Sequence, residues 1–447
     1  MPLDRRAWVP DASETLVQRF AAQTHAAPSA DIAARIEALG AENRAIHEQR
    51  CFNLNPATNI MNPAAERLLS NGMGPRPSLG YPGDKYEMGL EAIEEVEVIA
   101  AALAAEIFDA RFAEIRVASG AMANLYAFMA TCQPGDTILV PPASIGGHVT
   151  HHAAGCAGLF GLNIIEMPVD PTRYTVDVDL LIQMVRDGSI WNDRPPALIT
   201  LGGSLNLLPH PVSELRRFAD HIGAKLLVDA AHQCGMFAGR TWPNPLKSGA
   251  HLMTMSTYKS LGGPAGGLIV TDDEEISQRL DSIAFPGMTA NFDASKSAAL
   301  ARTLLDWRDH GPAYAAEMVH VATALSNALK ERGIPIFETA EGASSSHQFA
   351  ILAHDFGGGQ AASKHLYRAG LIACGIGVPA PGIEGDMNAI RIGTPELVRI
   401  GVGRNKNDIS VLADFVARAI RSETPEAIAP ETAAFRAKFR DLHYINQ

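Results

Sequence analysis

Seven short apolar runs constrain this chain more than any other feature. They lie at Ile115–Val117, Thr137–Val140, Asn163–Ile165, Ala197–Leu201, Leu226–Val228, Leu252–Met255 and Leu268–Val270. Runs this short and this apolar predict strands buried on both faces. Helical patterns separate several of them, for example Ser213-Glu214-Leu215-Arg216-Arg217-Phe218-Ala219-Asp220. Such alternation predicts an α/β fold with a mostly parallel sheet covered by helices. At 447 residues the chain is long enough for one large and one smaller domain. The pattern divides it into an N-terminal arm (1–52), a large domain (53–305) and a smaller C-terminal α/β domain with a terminal helix (306–447). Asp31–Leu39 has helical spacing. Residues Cys51 to Pro82 are punctuated by Pro and Gly and read as loops. In the next helix Ile93, Val96, Ala100, Leu103 and Ile107 form an apolar stripe, with Glu91, Glu94, Glu95 and Glu97 placed largely elsewhere. A long helical stretch, Ser295 to Glu331, leads into the smaller domain, and the tail from Pro425 to Gln447 predicts a short helix.

Composition removes several function classes. Charged residues at 19% against 47% apolar mark a globular chain. A formal net charge of −12 lacks the basic footprint of a nucleic-acid binder. Cys51, Cys132, Cys156, Cys234 and Cys374 are odd in number with no CxxC pair, so neither a disulfide framework nor a metal site is expected. The start, Met1-Pro2-Leu3-Asp4-Arg5-Arg6, does not lead into an apolar core, and no run is long enough for a bilayer. The expectation is a soluble, cytoplasmic protein without membrane or nucleic-acid partners.

In open parallel sheets ligands bind beyond the carboxyl ends of strands. There the sequence places Ser119, Ser204, Asp229, and then Ser256, Thr257 and Lys259. Lys259 precedes the turn Ser260-Leu261-Gly262-Gly263-Pro264. A lysine held in a partly desolvated pocket has a lowered pKa, which makes a neutral amine available for a Schiff base. Pyridoxal phosphate needs such an amine, an acid for its ring nitrogen (Asp229) and a phosphate cradle. Ser119-Gly120-Ala121-Met122-Ala123-Asn124 could form that cradle with free helix-start N–H groups, or be a plain N-capped helix.

The ordered motifs Gly80-Tyr81-Pro82-Gly83, Ser119-Gly120, Gly146-Gly147-His148-Val149-Thr150-His151, Asp229-Ala230-Ala231-His232, Thr257-Tyr258-Lys259, Phe285-Pro286-Gly287 and Ile390-Arg391-Ile392-Gly393-Thr394-Pro395 together resemble the serine hydroxymethyltransferase family. The resemblance runs from about Asn53 to Ile420. It implies a fold-type I pyridoxal phosphate-dependent transferase, aspartate aminotransferase-like. It further implies that Lys259 carries the cofactor, Asp229 pairs with its ring nitrogen with His232 near it, and His148 stacks on the ring close to the reacting carbons. Ser204 would bond the phenolic oxygen. Ser119, Gly120, Ala121 and Ser256 would hold the phosphate, with Thr289 or Asn291 given by a neighbouring subunit. Arg391 would grip the substrate carboxylate as a fork, with Asn53 and Tyr81 also at the substrate. His151 is left open between a site residue and a packed loop histidine. A homodimer or homotetramer is implied.

Departures from the family pattern are as informative. Leu79 stands where the family has a glutamate implicated in proton transfer, and Pro77 where it has a tyrosine. Leucine cannot shuttle protons. Glu87 replaces a second tyrosine, and either supplies a displaced carboxylate or opens a helix. Tyr258, Ala265 and Ala121 replace a histidine, an arginine and a serine. The cofactor apparatus is retained while the folate apparatus is damaged. The expected activity is cleavage or formation of the Cα–Cβ bond of a β-hydroxy-α-amino acid without tetrahydrofolate, acting on α-methylserine or threonine-like substrates, with His148 or Glu87 as base. The alternatives are a folate-dependent hydroxymethyltransferase, another pyridoxal phosphate enzyme such as an aminotransferase or decarboxylase, and a non-catalytic binder.

Overall fold

The computed structural model describes residues 3–76, 78–191 and 194–447; Pro77 and the first two residues lie outside them. All seven apolar runs are strands of one sheet: β1 (Phe112–Val117), β2 (Thr137–Val140), β3 (Asn163–Glu166), β4 (Leu198–Leu201), β5 (Lys225–Asp229), β6 (Leu252–Ser256) and β7 (Gly267–Thr271). Their order is β1-β7-β6-β5-β4-β2-β3. From β6 to β3 every pairing is parallel, and β7 runs antiparallel to both its neighbours. Strands β4, β6 and β7 are buried at every residue, as expected of a sheet covered on both faces.

Helices α1 (Asp11–Ala26) and α2 (Ser29–Arg44) form the N-terminal arm, and α3 (Glu91–Ile107), α4 (Gly120–Thr131) and α5 (Val212–Ile222) follow. Helix α6 (Ala294–Glu331) runs unbroken through Pro312. A three-stranded antiparallel sheet lies beyond it, built from β8 (Gln348–Leu352), β9 (Cys374–Ile376) and β10 (Ala389–Gly393) in the order β8-β10-β9. The tail carries a short helix, Ala429–Arg436.

Three local expectations need correction. The arm holds two helices rather than one; α1 buries only Glu14, so its sequence carries no core-facing stripe. The loop region Cys51–Pro82 contains a helical turn and a half, Pro63–Leu68, capped by the Asn62 side chain. Glu97 is not on the wet face of α3. It is buried at 6% exposure, bonded by the Ser78 hydroxyl and ion-paired to the buried Lys85 ammonium at 2.7 Å. A neighbouring two-residue strand, Asp84–Lys85, supplies the cation that makes its burial tolerable.

Candidate active site

Register alone brings the strand-end residues together. Asp229, ending β5, lies opposite Thr254 of β6, Ser256 opposite Gly267 of β7, and Gly267 opposite Val117 of β1. The carboxyl ends of β1, β6, β5 and β4 therefore share one edge. Lys259 follows β6 and is buried, its Nζ 3.2 Å from His232 Nε2. Burial pushes its ammonium down to about 8; Asp229 opposes that shift and the Arg391 charge adds to it.

Asp229 sits in the densest network. Its Oδ2 accepts from Asn124 Nδ2 at 2.8 Å and stands 3.3 Å from His151 Nε2 and 3.8 Å from His148 Nδ1. Its Oδ1 accepts the Ala231 N–H at 3.0 Å. Burial alone would raise its pKa, but the hydrogen bonds and neighbouring imidazoles reverse this and hold it well below the usual carboxylate range. Asn124 is itself fixed, donating to Thr150 and accepting from Thr254. His148 bonds Thr150 Oγ1 at 2.5 Å, and burial takes its pKa down to about 4 against the pull of Asp229. It is a neutral imidazole at neutral pH, with 22% of its side chain exposed at the mouth of the site.

Ser119 caps α4: its hydroxyl accepts the Met122 N–H at 3.2 Å. Capping and anion binding coexist at a helix start, because the N–H groups of Gly120 and Ala121 have no partner within the helix. A Cβ on Gly120 would stand 1.9 Å from Ser256 Oγ, so only glycine lets the two segments meet. Arg391, on β10, is buried, yet it pairs with no carboxylate among the described residues. Its Nη1 donates to the Ser204 carbonyl, its Nη2 reaches Cys374 Sγ at 3.2 Å, and its Nε has no partner. A buried guanidinium in that state is poised for an anion.

Three other expected site residues are engaged elsewhere in the chain. The Asn53 amide is used up by Thr58 and the buried Glu396, at 2.9 Å each. Tyr81 is 55% exposed and donates to Asp281 at 2.7 Å. The Thr289 hydroxyl donates to the Ala284 carbonyl at 2.6 Å. Ser204 contributes its carbonyl, to Arg391 and Gln348, and makes no hydrogen bond through its hydroxyl. Glu87 precedes α3 without capping it. Among the described residues its buried Oε2 has no partner, and no hydrogen bond joins it to the Lys259–Asp229 network. Conversely, sequence reasoning passed over Gln348 and Cys374 as site residues, and took Asn124 only as the end of the candidate phosphate cradle, not as a partner of Asp229. Asn124 had a signal, one helical turn after Gly120 on the inward face of α4, and Gln348 had one as a polar residue opening a buried strand.

A buried amine, an ionised acid held by three side chains, a glycine-tight helix start and an unpaired guanidinium fit an aromatic aldehyde phosphate and an amino acid carboxylate. Similarity to known proteins gives the same answer. The serine hydroxymethyltransferase family model matches residues 35–416. The chain belongs to the serine hydroxymethyltransferase family. Members of this family are fold-type I pyridoxal phosphate enzymes, and this one is of the aldolase and hydroxymethyltransferase type. A protein of Variovorax paradoxus named α-methylserine aldolase is 58% identical over 443 residues, covering 99% of this chain and 98% of its own. One of Ralstonia sp with the same name is 55% identical over 448 residues, 99% and 100% of the two chains. A serine hydroxymethyltransferase of Pyrobaculum arsenaticum is 34% identical over 393 residues, 88% and 90% of the two chains. Within this hydroxymethyltransferase family, then, the chain is more similar to the two named aldolases than to that hydroxymethyltransferase.

Proposed function

We propose that the protein cleaves α-methylserine to alanine and formaldehyde, using pyridoxal phosphate and no tetrahydrofolate. The observation that carries this reading is the near-full-length 58% identity to a protein named α-methylserine aldolase. Leu79, at the place of a proton-transferring glutamate, supports it, since a leucine has no proton to move.

When bound, pyridoxal phosphate supplies an aldehyde for the substrate amine and an electron sink for the pair left by the broken Cα–Cβ bond. Lys259 offers the amine that holds the cofactor; near pH 8 a large share of it is neutral. Asp229, kept ionised, pairs with the cofactor ring nitrogen. Ser119, Gly120, Ala121 and Ser256 hold the phosphate, and Arg391 takes the substrate carboxylate. His148, neutral and at the mouth of the site, accepts the β-hydroxyl proton as the Cα–Cβ bond breaks and formaldehyde leaves. A proton returned to Cα completes alanine. Glu87 is the weaker candidate for base, because nothing ties it to Asp229 or Lys259.

Two chains complete the assembly in this reading. Tyr81 and Thr289 are engaged away from Lys259 within one chain, and Trp8, Phe20, Ile36 and Leu39 of the arm are exposed. Sedimentation should give twice the chain mass of 47.6 kDa, and a monomer at working concentration would contradict it. A cytoplasmic location accompanies the reading, and cell fractionation checks it. The activity test is release of formaldehyde and alanine in equal amounts from α-methylserine, with and without tetrahydrofolate. Equal rates are expected; release only with folate would replace this reading with the hydroxymethyltransferase one.

A further inference from the structure

Among the described residues the side chain within hydrogen-bond distance of Lys259 Nζ is His232, and His232 is itself contacted from behind. Its Nε2 faces Lys259 Nζ at 3.2 Å and its Nδ1 faces Gln348 Nε2 at 3.2 Å. All three side chains are buried, Gln348 completely. Which imidazole nitrogen bears the proton follows from the polarity of the Gln348 amide.

That polarity is fixed on both sides. Gln348 Oε1 accepts the backbone N–H of Asn206 at 2.9 Å, and a backbone N–H can only donate. The nitrogen end of the amide must then face His232, with its second proton directed at the Ser204 carbonyl, 3.4 Å away. Asn206 is anchored in turn. Its Nδ2 donates to the Gly203 carbonyl at 2.8 Å and its Oδ1 bonds His210 Nε2 at 2.9 Å. With an amide donor at Nδ1, the neutral imidazole carries its proton on Nε2. An Nε2–H directed at Lys259 can bond an amine lone pair but is repelled by an ammonium.

We infer that Gln348 is a positioning residue that fixes the tautomer of His232, so that the imidazole donates to Lys259 and favours its neutral amine. The inference rests on the reading of Lys259 as the cofactor lysine. Other groups act on the same two side chains. Asp229, Arg391 and Cys234 face Lys259, while Arg391, His347 and His148 surround His232. Of these, Arg391 is the nearest competitor for His232 Nε2, at 3.4 Å; its Nη1 already donates to the Ser204 carbonyl. Burial, followed by the Lys259 and Arg391 charges, holds His232 well below the usual histidine range, so it stays neutral and its tautomer is the variable left to set.

Removing the amide donor frees His232 to protonate Nδ1 and turn a lone pair toward Lys259, which would then stabilise the ammonium. The test uses cofactor-free protein and competitive acetylation of Lys259, read by mass spectrometry of its peptide across neutral to alkaline pH. Wild type should give a midpoint near 8. Gln348→Met, uncharged and of similar length, should raise it by about one unit. Gln348→Leu should do the same, and serves if the first variant does not fold. In a His232→Phe background the Gln348 substitution should move nothing further. An unmoved midpoint on Gln348 substitution where His232 is retained, or an equal shift with and without His232, would overturn the inference. Wild-type protein that acetylates at Lys259 with the expected midpoint but never takes up pyridoxal phosphate would instead remove the cofactor reading and leave the tautomer result standing.

Discussion

Arg391 is the residue whose surroundings are least explained by folding alone. Most buried cations are matched by an acid; here, among the described residues, the guanidinium finds a carbonyl, a thiol and an imidazole. An uncompensated buried charge costs stability, so its retention points to a ligand that completes it. Losing a charged, hydrogen-bonded partner of the substrate carboxylate should cost about 3 kcal/mol, or ~100-fold. Arg391→Ala should therefore raise KM for α-methylserine about 100-fold. Arg391→Lys should recover only part of that, since a single ammonium cannot reproduce the fork. Steady-state kinetics decides it, and an unchanged KM in Arg391→Ala would take Arg391 out of the site. Lys259 and Asp229 were legible in the sequence because each stands at or just beyond a strand end, whereas His148 came only with the family resemblance of its Gly146–His151 motif. The bonds that hold them were not: Asn124 reaches Asp229 across 105 residues and Gln348 reaches His232 across 116, separations that no local pattern records.

At the scale of elements, legibility followed burial. The inner strands β4, β6 and β7 were readable because both faces of the sheet are covered there, which leaves runs of apolar residues with few interruptions, while the edge strands β1 and β3 are only partly buried. Helix α6 was readable for the same reason, with Leu300, Leu304, Trp307, Tyr314, Met318 and Val321 all turned into the core. Helix α1 escaped because it packs almost nothing against the rest of the chain. Glu97 on α3 was misplaced because charge was read as exposure; Lys85 sits in a two-stranded hairpin (Gly80–Tyr81 with Asp84–Lys85) before that helix and neutralises it. The positions carried over by resemblance fared unevenly for a related reason. Ser256 and Gly120 meet because sheet register compels it, whereas Asn53, Tyr81 and Thr289 lie on loops and short segments with their own partners within the chain.

At the scale of the whole molecule, the sheet works as a frame. It brings one amine, one acid and one glycine-tight helix start to a common edge, and β10 adds a guanidinium from the C-terminal sheet. Among the described residues no helix is long and apolar enough to cross a membrane. The function that follows depends on Lys259 rather than on any other lysine. Borohydride reduction of the protein after incubation with pyridoxal phosphate, followed by peptide mass mapping, tests that most directly. One phosphopyridoxyl group per chain is expected, on the peptide carrying Lys259. A label on another lysine, or none at all, would contradict it.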